Sequence, residues 1–123
     1  MSLCLTAGAA TLVVAWTAFT LSWTHSVEQT AWQEDWRVLP DGLQIIEARV
    51  QGTGAGMEPP ATARFEDGWW IYRPSLPPLP RLVLARSDAT ADWRICRGGG
   101  DCLDLRRLAP AADAAVILHP CSE

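Results

Sequence analysis

His25, Ser26, Glu28 and Glu34 are the side chains whose types and spacing could carry chemistry. An imidazole followed by carboxylates three and nine residues on can hold a divalent metal such as zinc, or move a proton near neutral pH. The plainer reading has His25 bonded to a neighbouring strand and Glu28 capping a turn. Ser26 beside His25 is a poorer hydrolase pair, because adjacent strand residues point to opposite faces. No G-x-S-x-G elbow supports it. The second histidine, His119, stands two residues before Cys121 and could join a metal set only if that thiol were free.

The element that must position these groups is legible. Phe19, Leu21, Trp23 and His25 alternate with Thr20, Ser22 and Thr24, the period of a half-buried strand with a wet row of hydroxyls behind it. Trp32, Glu34, Trp36 and Val38 alternate in the same way with Ala31, Gln33, Asp35 and Arg37. Pro40-Asp41-Gly42 then predicts a turn, with Gly42 taking the left-handed position, and Leu43–Val50 the partner strand. Asp67-Gly68 predicts a second hairpin between Thr62–Glu66 and Trp69–Arg73. Four prolines in residues 74–80 predict a stiff extended connector. Further short strands are expected at Arg81–Arg86, Trp93–Cys96, Cys102–Arg106 and Ala115–His119, with a helical turn in Ala109–Ala115.

The N-terminal stretch Leu3–Trp23 is apolar, yet no positive charge precedes Arg37, and Thr6, Gly8, Thr11, Thr17, Thr20 and Ser22 interrupt it. A signal peptide needs a basic start, and a membrane helix needs about twenty unbroken apolar residues. The reading is therefore strand, turn at Gly8, strand, with no transmembrane span. The whole chain of 123 residues, 49% hydrophobic, is expected to be a single β-domain over 1–123. The fold class is all-β: a small antiparallel β-sandwich or partly open β-barrel of about nine short strands.

Composition narrows function. The net charge is −4, which disfavours a nucleic-acid partner. All ten basic residues are arginine, a bias that high-GC coding explains. Gly52-Thr53-Gly54-Ala55-Gly56 echoes a phosphate-binding loop but lacks its lysine and the following helix, so no cofactor is expected. Seven tryptophans suit core packing, although one of the adjacent pair Trp69-Trp70 could be exposed as a stacking platform. Asp101, Asp104, Arg106 and Arg107 read as a solvated edge. Cys96 and Cys102 flank a glycine-rich tip, and Cys4 and Cys121 lie near the two chain ends. Their spacing fits no zinc motif, and it predicts Cys96–Cys102 and Cys4–Cys121 disulfides. Disulfides imply a periplasmic or otherwise exported protein whose native signal peptide has been removed; four reduced, buried cysteines remain the alternative.

Trp23-Thr24-His25-Ser26-Val27-Glu28, the later Glu34 and the Gly54-Ala55-Gly56-Met57 loop together resemble a bacterial domain-of-unknown-function family. Its members carry a Y-x-H-S-V-E element, a downstream acid and a G-A-G element, and their genes sit beside those of TAXI-type TRAP transporters. The resemblance covers roughly Ala18 to Tyr72, with looser similarity afterwards, and the chain departs from it in having Trp23 for tyrosine and in its cysteine-bearing C-terminal third. It places His25, Ser26, Glu28, Glu34, Gly54 and Gly56 at motif positions, with His25 expected close to the Gly54 loop. What it implies is a context, the periplasmic side of a solute-uptake system, and the leading expectation is a non-catalytic exported accessory domain that assists TAXI-type TRAP uptake by contacting the permease or the solute-binding protein. The alternative is a small-ligand or divalent-metal-binding domain using His25, Glu28 and Glu34. A metal-dependent hydrolase ranks third.

Overall fold

The computed structural model describes residues 1–24, 30–52, 60–88, 91–98 and 100–122. Two antiparallel sheets face each other in an open sandwich. The order of described elements is β1 (Ser2–Ala7), β2 (Ala10–Val14), β3 (Ala18–Thr24), β4 (Ala31–Leu39), β5 (Gly42–Gln51), β6 (Arg64–Glu66), β7 (Trp69–Tyr72), β8 (Leu82–Leu84), β9 (Arg94–Cys96), β10 (Cys102–Leu103), α1 (Leu105–Leu108) and β11 (Val116–Cys121). The smaller sheet runs β2-β1-β11-β8, and the larger runs β10-β9-β3-β4-β5-β7-β6.

The apolar N-terminus is a hairpin. Gly8 turns it at φ +58°, a left-handed value that glycine adopts without Cβ strain. Leu3 and Leu5 of β1, Leu84 of β8, and Val116 and Leu118 of β11 pack against Phe19, Leu21, Trp36, Val38, Leu43, Ile45 and Ile95 of the larger sheet. Leu3, Leu5 and Leu118 are fully buried, and each such side chain contributes roughly 1.5–3 kcal/mol of hydrophobic stabilisation. No described helix is long and apolar enough to cross a membrane.

Both predicted disulfides are formed. Cys96 and Cys102 are direct partners across the β9–β10 pair, and Cys4–Cys121 joins β1 to β11 with 5.9 Å between Cα atoms. Asp67 and Gly68 take φ of 51° and 87°, the double left-handed turn that matches strand twist in a tight hairpin.

Several expectations need correction. There are eleven strands among the described residues, not about nine. The strand expected over Cys102–Arg106 stops at Leu103, because the Asp104 carboxylate accepts from the Arg106 amide and starts α1. The helical turn therefore precedes residues 109–115 and does not lie within them. The last strand continues through Pro120 to Cys121, having passed the end of its pairing with β8 at Leu118, where a missing donor costs least. Gly42 is not at positive φ. A Cβ there would lie 2.7 Å from the Leu79 carbonyl oxygen, so glycine serves the close crossing of the proline-rich connector. Leu43 and Leu79 exchange backbone hydrogen bonds of 2.7 and 2.9 Å at that crossing.

Candidate functional site

β4 lies in the middle of the larger sheet, and its alternation sends Trp32, Glu34, Trp36 and Val38 toward the core. Directly opposed residues in antiparallel strands share a face. The registers line up Ile95, Leu21, Glu34, Ala48 and Tyr72 across five strands. Ile95, Leu21 and Ala48 are core residues. Glu34 is thus a carboxyl group on the apolar side of the sheet, half-buried.

Its surroundings are aromatic. The Trp36 indole N–H donates to Glu34 Oε1 at 3.1 Å. Burial pushes the Glu34 carboxyl above its ordinary range, and the bond from Trp36 only partly opposes this. The Tyr72 phenol is also pushed up, by burial and then by the negative charge of Glu34, which places the two groups in electrostatic reach across Ala48. The neighbouring row on the same face is Trp23, Trp32, Val50, Trp70 and Phe65. Trp23 stacks on Trp32 with centroids 5.5 Å apart and meets Trp93 at 4.7 Å, while Phe65 and Trp70 meet at 4.9 Å. Trp32 Nε1 is buried without a hydrogen-bond acceptor among the described residues. Such a group calls for an explanation, because an unmade hydrogen bond costs its full desolvation.

A bulge helps to arrange this. Asp35 pairs with Glu47 and Trp36 with Ile45, so Ile46 is the extra residue on β5. The slip lets both Ile45 and Ala48 face inward beside Glu34 and Trp36.

The other face of the sheet is polar, as the hydroxyl row predicts. Thr20 Oγ1 donates to Asp35 Oδ1 at 2.8 Å. Arg49 grips both Asp35 oxygens at 2.8 and 2.9 Å and also reaches Glu47 and Gln33. The Arg49 hydrogen bonds hold the Asp35 carboxyl below its ordinary range against the opposing effect of burial. One strand therefore carries adjacent carboxyls whose proton affinities are pushed in opposite directions.

Of the motif residues, Glu34 is placed as described. His25, Ser26, Glu28, Gly54 and Gly56 lie outside the described residues. The strand ends from which their segments depart are neighbours: Thr24 pairs with Ala31, and Trp32 with Val50 one position on. Among the described residues no three His, Cys, Asp or Glu side chains gather as a metal centre. His119 cannot use Cys121 as a thiolate partner, because that sulfur is bonded to Cys4. A groove of about 640 Å³ lies elsewhere, between β2 and α1, lined in part by Thr11, Leu12, Leu103, Asp104 and Arg107. Of the adjacent tryptophans, both Trp69 and Trp70 are half-buried, and the exposed ring at this edge is Phe65, 54% accessible.

Glu34 is legible in the sequence, but the phenol that lines up with it is not. Trp32 and Trp36 were legible as its same-face neighbours, whereas Tyr72 comes from a strand 38 positions away that no local signal connects.

The family model described as "Domain of unknown function (DUF1850)" matches residues 19–105. The chain belongs to this family. Neither the curated proteins nor the solved structures yield a match. The DUF1850 region extends well past Tyr72, through the stretch where the motif resemblance is looser. It starts in β3 and ends at the first residue of α1, so it contains all seven strands of the larger sheet and β8. Strands β1, β2 and β11, with the Cys4–Cys121 bond, lie outside it. The aromatic rows and Glu34 lie wholly within it.

Proposed function

We propose that this DUF1850 chain is an exported recognition domain that assists TAXI-type TRAP solute uptake by contacting the permease or the solute-binding protein. The observation that carries the reading is the mismatch between the sheets. The larger has seven strands and the smaller four, and β11 packs over β4 and β5. At the far edge all three residues of β6 are exposed, and Phe65 stands there against Trp70. Aromatic anchors at an uncovered edge are the usual high-energy contacts of protein interfaces. Two disulfides support an oxidising compartment, and the HSVE and GAG resemblance supplies the transport context.

Co-purification of the tagged protein with the permease and with the solute-binding protein tests this. The wild type is expected to retain one of them, and Phe65→Ser is expected to lose it while keeping its fold. Retention of neither component by the wild type would rule the reading out. The alternative, a metal- or small-ligand-binding domain on His25, Glu28 and Glu34, predicts a stoichiometric metal in protein prepared without chelators.

A further inference from the structure

Among the described residues the two sheets end in four edge strands, and three of these are guarded against strand addition. β6 carries Arg64 and Glu66 on either side of Phe65. β10 has only two residues, and β8 has three and is entered from Pro80 and Arg81. Charge, proline and shortness are the devices that keep an edge from pairing with another chain. β2 has none of them. It runs for five residues, Ala10-Thr11-Leu12-Val13-Val14, with no charge, no proline and no slip in its register with β1.

Its backbone is open on the outer side. Two residues, Gly8 and Ala9, join β1 to β2, which makes Ala7 and Ala10 a pair that exchanges both hydrogen bonds. Such pairs alternate along an antiparallel ladder, so Thr11 and Val13 direct their N–H and C=O groups away from β1. Both residues are exposed, Val13 by 48%, and no described backbone group bonds them from that side. Space adjoins the strand. The groove of about 640 Å³ has Thr11 and Leu12 on one wall and Leu103, Asp104, Arg107 and Leu108 on the other. The three leucines are half-buried. The Asp104 carboxylate is held by the Arg106 amide at 3.0 Å, whereas Arg107 is exposed and joins no ion pair with a described residue.

We infer that β2 accepts an added β-strand, an extended peptide segment of a partner protein that is apolar at alternate positions and carries a carboxylate. The backbone of that segment bonds the free groups of Thr11 and Val13, which gives affinity. Its inward side chains meet Leu12, Leu103 and Leu108, and its acid meets Arg107, which gives specificity. A second copy of this chain is the poorer occupant, because an opposing β2 brings no acid to Arg107. β2 precedes the DUF1850 match and lies in the other sheet from Phe65, so the site does not rest on the transport reading.

A phage-displayed library of linear dodecapeptides, selected against the intact, oxidised protein, supplies the probes. The selected sequences are expected to share alternating apolar residues and one Asp or Glu. With the best of them made as a capped peptide, the Thr11 and Val13 amides of the wild type are expected to exchange at least tenfold more slowly when it binds, a readout that needs no variant. Val13→Pro deletes an outward N–H without touching the ladder to β1, and is expected to abolish binding. Arg107→Glu is expected to bind the acidic peptide at least tenfold more weakly, and to recover affinity when lysine replaces the acid in the peptide. Selection of no sequence with this alternation, unchanged exchange at Thr11 and Val13, or full affinity in Val13→Pro would each overturn the proposal. So would a dimer in sedimentation whose formation protects the same two amides, which would give the edge to a second copy.

Discussion

Glu34 and Asp35 are consecutive residues whose environments drive them in opposite directions. Asp35 faces the polar side and is gripped by Arg49, so its folded proton affinity is lowered from 3.8. Its stabilising contribution is present above that value and is lost as pH falls through the lower folded one. Glu34 faces the apolar side, and burial raises its proton affinity above 4.5. Its contribution is present below about that pH and is lost as pH rises through the folded value, because the ionised form is the one that burial penalises. Glu34→Gln removes the charge and keeps the Trp36 bond. The variant is therefore expected to be more stable than wild type at pH 7, with the difference closing on acidification toward pH 4. Urea melts across that range check the sign, and a variant less stable at pH 7 would show that the charge is compensated.

At the scale of elements, the larger sheet is positioned by local signals that each have a mechanical reason. The slip in β5 was written in its apolar spacing: Leu43 and Ile45 are two apart, Ala48 and Val50 two apart, but Ile45 and Ala48 are three apart. A uniform strand cannot bury all four on one face, and the bulge at Ile46 resolves the conflict. Gly42 was legible as a turn residue, but its reason was not, since the connector that crosses it arrives from residues 74–80. Gly42→Ala places a methyl group against the rigid Leu79 backbone, and overpacking of this kind costs about 1–3 kcal/mol. Gly8→Ala meets open space, and its strain at φ +58° costs about 1 kcal/mol. Denaturant midpoints of the two variants should fall in that order, and equal losses would show that the crossing yields.

Two tethers hold the molecule together across its scales of sequence. Arg86 has a side chain only 1% exposed. Its Nε and Nη2 donate to Asp92 at 3.0 and 2.8 Å, and its Nη1 reaches the Ala109 and Ala114 carbonyls at 3.0 and 3.1 Å. It thereby ties the segment after β8 to the segment before β11. Arg86→Ala leaves Asp92 and those carbonyls unpaired and is expected to cost about 3 kcal/mol or more, read as a lowered urea midpoint. Cys4–Cys121 closes nearly the whole chain, with a sequence separation of 117. Replacing both cysteines by serine is expected to cost about 2–5 kcal/mol through the freed unfolded chain. Cys96–Cys102 spans a separation of only six, so its removal should cost less. Thermal melts of the two double variants test that ranking.

The sequence by itself determined what local chemistry can determine. Period-two alternation marked β3 and β4 and the face on which Glu34 lies, glycine and Asp-Gly marked the hairpins, and the cysteine positions marked both disulfides. Only the tertiary structure decided which strands from distant segments became neighbours. It set Tyr72 beside Glu34, laid the proline-rich connector over Gly42, and closed Arg86 on residues 109–114. Such pairings depend on matching whole faces across the sandwich, a long-range packing problem to which no single stretch of chain holds the answer.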